Sequence, residues 1–173
     1  EFAMKLGLKN VTVINPGCNY PIPINEESKE FAKNIYGKAS PKLITISRLD
    51  GRKSHHNIMM TVKNLLPKYP GLKYVSIGDG DEGNNLLRLR KTLGLEKSIE
   101  FIFKSTEQEK VALLEQSNIF IMPSVIYKKS VEGFGIVYVE AAQFGVPSIG
   151  GKDGGAADAI DHEKTGYICD GNS

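Results

Sequence analysis

Apolar and polar residues follow two recurring patterns along the chain. Short apolar runs rich in β-branched residues predict buried strands, whereas apolar residues spaced by three and four predict helices with one face on a core. The predicted strands are Leu43–Ile46, Leu72–Ile77, Ile99–Phe103, Asn118–Met122, Pro147–Ile149 and Gly166–Ile168. The predicted helices lie around Glu26–Tyr36, Ile58–Leu66, Leu86–Leu93 and Val111–Leu114. This alternation predicts an α/β domain with a right-handed parallel sheet covered on both faces.

Local signals predict where these helices begin and end. Asp81 is a candidate N-cap for the helix at Leu86–Leu93, and Gly94 is its candidate C-terminal stop. Thr106, followed three residues later by an acid, opens a capping box. Residues 19–40 carry prolines, charges and weak periodicity, which predicts a loop with a short helix. We therefore divide the chain into an N-terminal segment, residues 1–40, and a domain, residues 41–173.

The stretch Glu132–Pro147 carries the clearest candidate chemistry. Glu132 and Glu140 bracket a glycine-flanked aromatic residue, and the final Gly-Val-Pro would end a helix and start a strand. Propensity alone favours a strand for residues 136–139. If instead a helix begins near Gly135, the two acids flank its N-terminus. That end presents unpaired N–H groups and about half a positive charge, so it would attract an anion such as a diphosphate.

This stretch also carries a resemblance to a known family. Residues 132–136 read Glu-Gly-Phe-Gly-Ile and are followed by Glu140-Ala141-Ala142, Gly145-Val146-Pro147 and Gly154-Gly155. The pattern resembles the E-x7-E signature of the retaining glycosyltransferases of family four, the group 1 glycosyltransferases, which have the GT-B fold of two facing Rossmann-like domains. The resemblance implies that this chain is the C-terminal, donor-binding half, a Rossmann-like doubly wound parallel sheet, with the interdomain connection in residues 1–40.

The loop after the first predicted strand resembles a second motif of that family, G-R-L-x-x-x-K-G. Arg48 and Lys53 match it, and serines replace both flanking glycines. The resemblance implies that these two cations hold the donor's diphosphate. Fixed cations suit this role because breaking a sugar–phosphate bond leaves negative charge on the departing nucleoside diphosphate. From this loop alone, solvated charges would be the simpler interpretation. Arg52 has no counterpart in the motif, and we expect it to be solvated.

The resemblance also assigns roles to the residues around the predicted helix start. Glu132 would contact hydroxyl groups of the donor sugar. The backbone N–H groups of Phe134, Gly135 and Ile136 would contact sugar and phosphate oxygens. Glu140 would accept hydrogen bonds from the ribose hydroxyls. A hydrogen bond to a charged group contributes on the order of 1.5–3 kcal/mol, so the loss of either acid should weaken donor binding.

The implied activity is transfer of a hexosyl group from a nucleoside-diphosphate sugar to a glycan, lipid or small-molecule acceptor, with retention of configuration. Arg48, Lys53 and Glu132 would be the catalytic residues. No cofactor is implied besides the donor substrate. The acceptor would be held by an N-terminal domain outside this chain. We therefore expect this chain alone to bind a donor without transferring its sugar.

Two other interpretations stay open. Gly78–Gly83 fits G-x-G-x-x-G between a predicted strand and a predicted helix, with Glu100 further on, which is the pattern of an NAD-dependent oxidoreductase. Its acids, however, would crowd the position of a pyrophosphate. The chain could also be a non-catalytic module that binds sugar nucleotides. Asp79 and Asp81 resemble a D-x-D metal motif, but the GT-B resemblance implies no such metal, and we predict none tightly bound.

Composition narrows the class of partners. The chain has 173 residues and a net charge of +2 with both signs well mixed, which argues against nucleic acid as a partner. Cys18 and Cys169 show no metal spacing and fit a reducing compartment. We expect a cytoplasmic protein, with peripheral membrane association of the full-length enzyme left open. His55 and His56 lack ligand-like spacing, and we expect both to face solvent.

Overall fold

The computed structural model describes residue 5, residue 7, residues 9–18 and residues 22–172. Its strands are β1 (Lys42–Ile46), β2 (Lys73–Ile77), β3 (Ile99–Ile102), β4 (Ile119–Met122), β5 (Ser148–Gly151) and β6 (Gly166–Cys169). Its helices are α1 (Glu26–Tyr36), α2 (His55–Leu65), α3 (Gly83–Leu93), α4 (Glu107–Glu115), α5 (Ile136–Gln143) and α6 (Ala156–Ala159), with a 3-10 turn at Gly51–Lys53.

All six strands pair in parallel, in the order β3-β2-β1-β4-β5-β6. The chain runs outward from β1 to β3 and then returns to place β4 on the other side of β1. The carboxyl ends of β1 and β4 therefore form a topological switch point, where ligands bind in sheets of this kind. The predicted Rossmann-like doubly wound sheet is confirmed.

The helices cover both faces because alternate side chains of each buried strand point to opposite sides. Ile44 and Phe120 lie in one core, with side chains from α1, α4, α5 and α6. Leu43 and Tyr74 lie in the other core, with side chains from α2 and α3. The central strands are thus buried on both faces, and the switch point lies at their carboxyl ends.

The predicted helix around Glu26–Tyr36 is confirmed as α1. Asn25 caps its first turn through a 2.8 Å bond from the Ser28 N–H, and Tyr36 is buried with its hydroxyl 2.7 Å from Ser117 Oγ. This helix therefore packs with the domain that we predict to start at residue 41. Residues 19–21, the start of the predicted loop, lie outside the described residues. Among the described helices, none has the length and apolar composition to cross a bilayer.

Of the helix-end signals predicted at Asp81, Gly94 and Thr106, the last two are confirmed. Thr106 and Glu109 form the reciprocal capping box, and Gly94 ends α3 with φ 69°. The predicted N-cap at Asp81 is wrong, because α3 begins only at Gly83 and no side chain caps it. The preceding loop is held by another segment instead: the Glu82 N–H donates to the Leu49 carbonyl at 3.0 Å.

The same loop accounts for the G-x-G-x-x-G pattern. A Cβ on Gly78, which has φ 134°, would overlap the carbonyl oxygen of Ser47, and a Cβ on Gly80 would overlap that of Leu49. These glycines are required because the loops after β1 and β2 pack backbone against backbone. In this sheet order, moreover, the pattern follows β2 and not the central strand β1. The dinucleotide interpretation therefore has no support in the fold.

Candidate functional site

A hollow of about 440 Å³ opens at the switch point between β1 and β4. Its wall comes from the end of β1 and the loop after it, from the loop before α5, from the first turn of α5 and from Pro16 of the N-terminal segment. Side chains and backbone of Ser47, Lys53, Glu132 and residues 134–137 line it. The structure therefore brings together Lys53, Glu132 and the backbone of Phe134, Gly135 and Ile136.

Lys53 and Glu132 form an ion pair in the wall of this hollow. Their side chains are 9% and 10% exposed, so solvent screens the pair only weakly. The pair forms because the 3-10 turn after β1 points Lys53 back toward β4, where its Nζ also lies 3.3 Å from Met122 Sδ. Both residues line the hollow, which is open to solvent. An anion that enters the hollow can therefore reach the ammonium group of Lys53.

Arg52 joins this pair, which corrects the prediction that it is solvated. Its side chain is 18% exposed, and its Nη1 donates to Glu132 Oε2 at 3.2 Å and to the Val131 carbonyl at 3.1 Å. Asp50 caps the turn through the Arg52 N–H at 3.1 Å. The turn thus delivers two adjacent cations to one carboxylate.

Glu132 is ionised in this setting. Burial opposes the charged form, but the hydrogen bond and charge of Lys53, the charge of Arg52 and the Ser124 hydroxyl outweigh it, so the pKa of the carboxyl lies below its usual range. The Ser124 hydroxyl donates to Glu132 Oε2 at 3.3 Å. A charged carboxylate in the wall of the hollow can accept hydrogen bonds from ligand hydroxyl groups.

The Gly154-Gly155 turn fixes the backbone at Glu132. The Gly155 N–H donates to the Glu132 carbonyl at 3.0 Å, and Gly154 has φ 89°. A Cβ on Gly155 would overlap the Gly133 carbonyl, and one on Gly154 would overlap the Glu132 carbonyl. Only residues without side chains allow this close approach, so the turn holds the acidic loop against α6.

Helix α5 begins at Ile136, in agreement with a predicted helix start near Gly135. Gly135 precedes it with φ 77°, where a Cβ would stand 2.7 Å from Tyr138 Cδ2. Tyr138 is buried, and its hydroxyl donates to the Met122 carbonyl at 2.6 Å. This anchor fixes the first turn against β4 although the residues of the turn favour strands. The N-terminal N–H groups of α5 then lie at the hollow.

Arg48 and Glu140 do not line the hollow. Arg48 is exposed in the loop after β1, and Glu140 is half-buried on α5. Neither has an ion pair within the described part of the chain. Their predicted roles at the diphosphate and the ribose stay predictions.

His55 is buried, which corrects the prediction that it faces solvent; His56 is exposed as predicted. The imidazole lies 3.3 Å from Ser47 Oγ and 3.2 Å from Tyr74 OH. Burial lowers the pKa of His55 to about 4, so the ring is neutral near pH 7. His55 thereby ties Ser47, in the wall of the hollow, to the core beneath it.

Sequence reasoning missed Arg52, Ser124 and His55. Their residue types carry no sign of burial, and their partners lie on other elements. At the D-x-D pattern, both Asp79 and Asp81 are exposed, and Asp79 accepts a 2.8 Å bond from the Gly80 N–H. The described residues contain no group of three or more metal-ligating side chains. That no metal binds tightly stays a prediction.

Comparisons with known proteins show which family shares this sequence and fold. The family model for group 1 glycosyl transferases matches residues 26–173. A GDP-mannose-dependent alpha-(1-6)-phosphatidylinositol monomannoside mannosyltransferase of Mycobacterium tuberculosis is 31% identical over 135 residues, which is 77% of this chain and 35% of the relative. This chain thus spans about a third of that relative's length.

Solved structures also share the fold. The C-terminal domain of a group 1 family glycosyl transferase from Francisella tularensis is 22% identical, with a TM-score of 0.68 over 85% of this chain and 76% of that one. An Anabaena protein solved with UDP and glucose is 22% identical, with a TM-score of 0.69 over 84% of this chain and 39% of that one. The match to the family model spans the whole sheet and the candidate site, and this chain belongs to the group 1 glycosyltransferases, as a C-terminal half of their GT-B fold.

Proposed function

We propose that this chain is the donor-binding domain of a retaining glycosyltransferase that moves a hexosyl group from a nucleoside-diphosphate sugar to a glycan, lipid or small-molecule acceptor. The observation that carries the proposal is the shared hollow of Lys53, Glu132 and the start of α5. An anion and a polyol fit there together, because the hollow has a cation, helix N–H groups and an ionised carboxylate.

The diphosphate of the donor would lie at the N-terminus of α5, beside Lys53. Lys53 is a compact charge on a flexible stem, so its Nζ can turn from Glu132 to a phosphate oxygen without moving the backbone. Arg48 would reach the same diphosphate from the opposite end of its loop. In the transition state these cations would stabilise the charge that builds on the leaving group.

Glu132 would bind the sugar. Its ionised carboxylate would accept hydrogen bonds from the sugar hydroxyls, while the N–H groups of Phe134, Gly135 and Ile136 would donate to sugar and phosphate oxygens. In the retaining reaction, the acceptor would attack from the face that the diphosphate leaves. The acceptor and any general base would come from the part of the enzyme outside this chain, in keeping with the 35% of the mycobacterial relative that it covers.

Calorimetric titration of the 173-residue chain with UDP, GDP and ADP, and with a sugar form of each, tests this proposal. We expect one nucleoside diphosphate to bind, and its sugar form to bind at least as tightly. If NADH binds and none of the nucleotides does, the proposal is wrong. Joining the chain to an N-terminal domain and measuring sugar transfer then separates an enzyme from a non-catalytic binding module.

A further inference from the structure

Arg52 contacts Glu132 but does not line the hollow. Its guanidinium contacts Glu132 Oε2 and the Val131 carbonyl, and its Nη2 lies 3.8 Å from Asp50 Oδ2. Lys53 meets the same carboxylate oxygen but lines the hollow, whereas Arg52 does not. The two neighbouring cations therefore differ in what they can reach.

The turn that carries Arg52 is fastened to the loop that carries Glu132. The Val125 N–H donates to the Arg52 carbonyl at 2.8 Å. A Cβ on Gly51 would stand 2.9 Å from the Tyr127 ring, so the two loops are in close contact. The backbone and the guanidinium of Arg52 are thus both held by the loop that carries Glu132.

A bound diphosphate would change the charge balance at Glu132. Lys53 cannot fully neutralise both the buried carboxylate and an entering phosphate, and a buried carboxylate without a cation is strongly unfavourable. If Lys53 turns to the phosphate, Arg52 still compensates Glu132. Among the described residues, Glu132 Oε1 has no hydrogen-bond partner, so this oxygen is left to meet a ligand hydroxyl.

We propose that Arg52 is a positioning residue that keeps Glu132 ionised and oriented toward the donor sugar while Lys53 pairs with the diphosphate. The inference rests on the proposed function. Arg52 thereby supports binding of the sugar and not binding of the nucleotide. Removing its charge should therefore weaken the contribution of the sugar to the binding affinity and leave the contribution of the diphosphate unchanged.

The test compares Arg52→Gln, which keeps a hydrogen-bond donor without the charge, with Arg52→Lys, which keeps the charge. Exposed Arg88 on α3 provides the control Arg88→Gln. Each chain is titrated with the nucleoside diphosphate that binds the wild type and with its sugar form. We expect Arg52→Gln to bind the diphosphate within about twofold of wild type and the sugar form roughly tenfold more weakly. Arg52→Lys should restore most of the loss.

A pH series separates positioning from a general structural defect. Without the Arg52 charge, protonation of Glu132 becomes easier, so the pH below which the sugar form loses affinity should move upward in Arg52→Gln and not in Arg88→Gln. Equal affinity of Arg52→Gln and wild type for the sugar form would overturn the inference, and so would equal losses for both ligands. If wild type binds no nucleotide, the proposed function itself fails.

Thermal unfolding of each variant guards against a folding artefact. Should Arg52→Gln prove unfolded, the affinities of wild type and Arg52→Lys for the sugar form are compared instead. The lysine should keep the affinity for the sugar form within about threefold, since it keeps the charge. A tenfold loss specific to the sugar form in a folded Arg52→Lys would show that charge at this position is not what matters.

Discussion

Lys53 and Glu132 lie 79 residues apart in the chain and meet as a buried ion pair at the switch point of the sheet. Each comes from a different loop, and each loop follows a strand of the central β1–β4 pair. The pair joins the cation that would hold a phosphate to the acid that would hold a sugar.

Replacing Lys53 with Met should abolish most of the affinity for the diphosphate. The variant removes the buried cation and keeps an apolar chain of similar length. We expect at least a tenfold loss in nucleoside diphosphate affinity by calorimetry, since a charge-assisted hydrogen bond to phosphate contributes about 1.5–3 kcal/mol. The control is Lys63→Met on the exposed face of α2, which should bind like wild type. Unchanged binding by Lys53→Met would remove this residue from the site.

Ionisation of Glu132 should make folding stability depend on pH in the acidic range. Its folded-state pKa lies below the ordinary value of 4.5, so the unfolded chain binds more protons than the folded one in that window. The stabilisation is present above about pH 4.5 and is lost as pH falls through the folded-state pKa. The unfolding free energy of wild type minus that of Glu132→Gln should therefore fall as the pH drops below about 4.5. Exposed Glu96, changed to Gln, is the control and should show no comparable fall.

Changing Gly155 to Ala should destabilise the fold and weaken donor binding together. The new Cβ would overlap the Gly133 carbonyl, so the acidic loop must shift. We expect a loss of about 2 kcal/mol or more in unfolding free energy, because backbone cannot easily yield. Gly133→Ala is a matched control, since its Cβ meets nothing within 4 Å. Chemical denaturation of both variants measures the contrast, and equal stability would contradict the close approach.

Burial of neutral His55 should make the fold lose stability as pH falls from about 6.5 toward about 4, since the unfolded chain binds the proton first. Relative to His55→Gln, wild type should lose on the order of 2–3 kcal/mol across this window. His56→Gln changes the exposed neighbour and should behave like wild type. Urea unfolding at several pH values measures the difference, and parallel curves for wild type and His55→Gln would contradict the burial.

Local sequence was enough to predict most elements, because capping and periodicity act over a few residues. Thr106 and Gly94 mark helix ends correctly because their partners lie within one turn. Asp81 failed because α3 begins only at Gly83, and the loop before it is held by a contact from another segment, the Leu49 carbonyl that accepts from the Glu82 N–H. For α5, strand propensity was overruled by Tyr138, whose buried hydroxyl anchors the turn to β4.

For the site, the pattern of residues in the sequence by itself determined which loops follow the strands, and the resemblance that its motifs carry singled out the acid at Glu132, the cation at Lys53 and the Gly154-Gly155 turn. Only the tertiary structure decided that Arg52 shares the carboxylate, that His55 is buried, and that Arg48 and Glu140 lie outside the wall of the hollow. The physical reason is that charge pairing and desolvation depend on distance in space, and here the partners come from loops that only the closed sheet brings together.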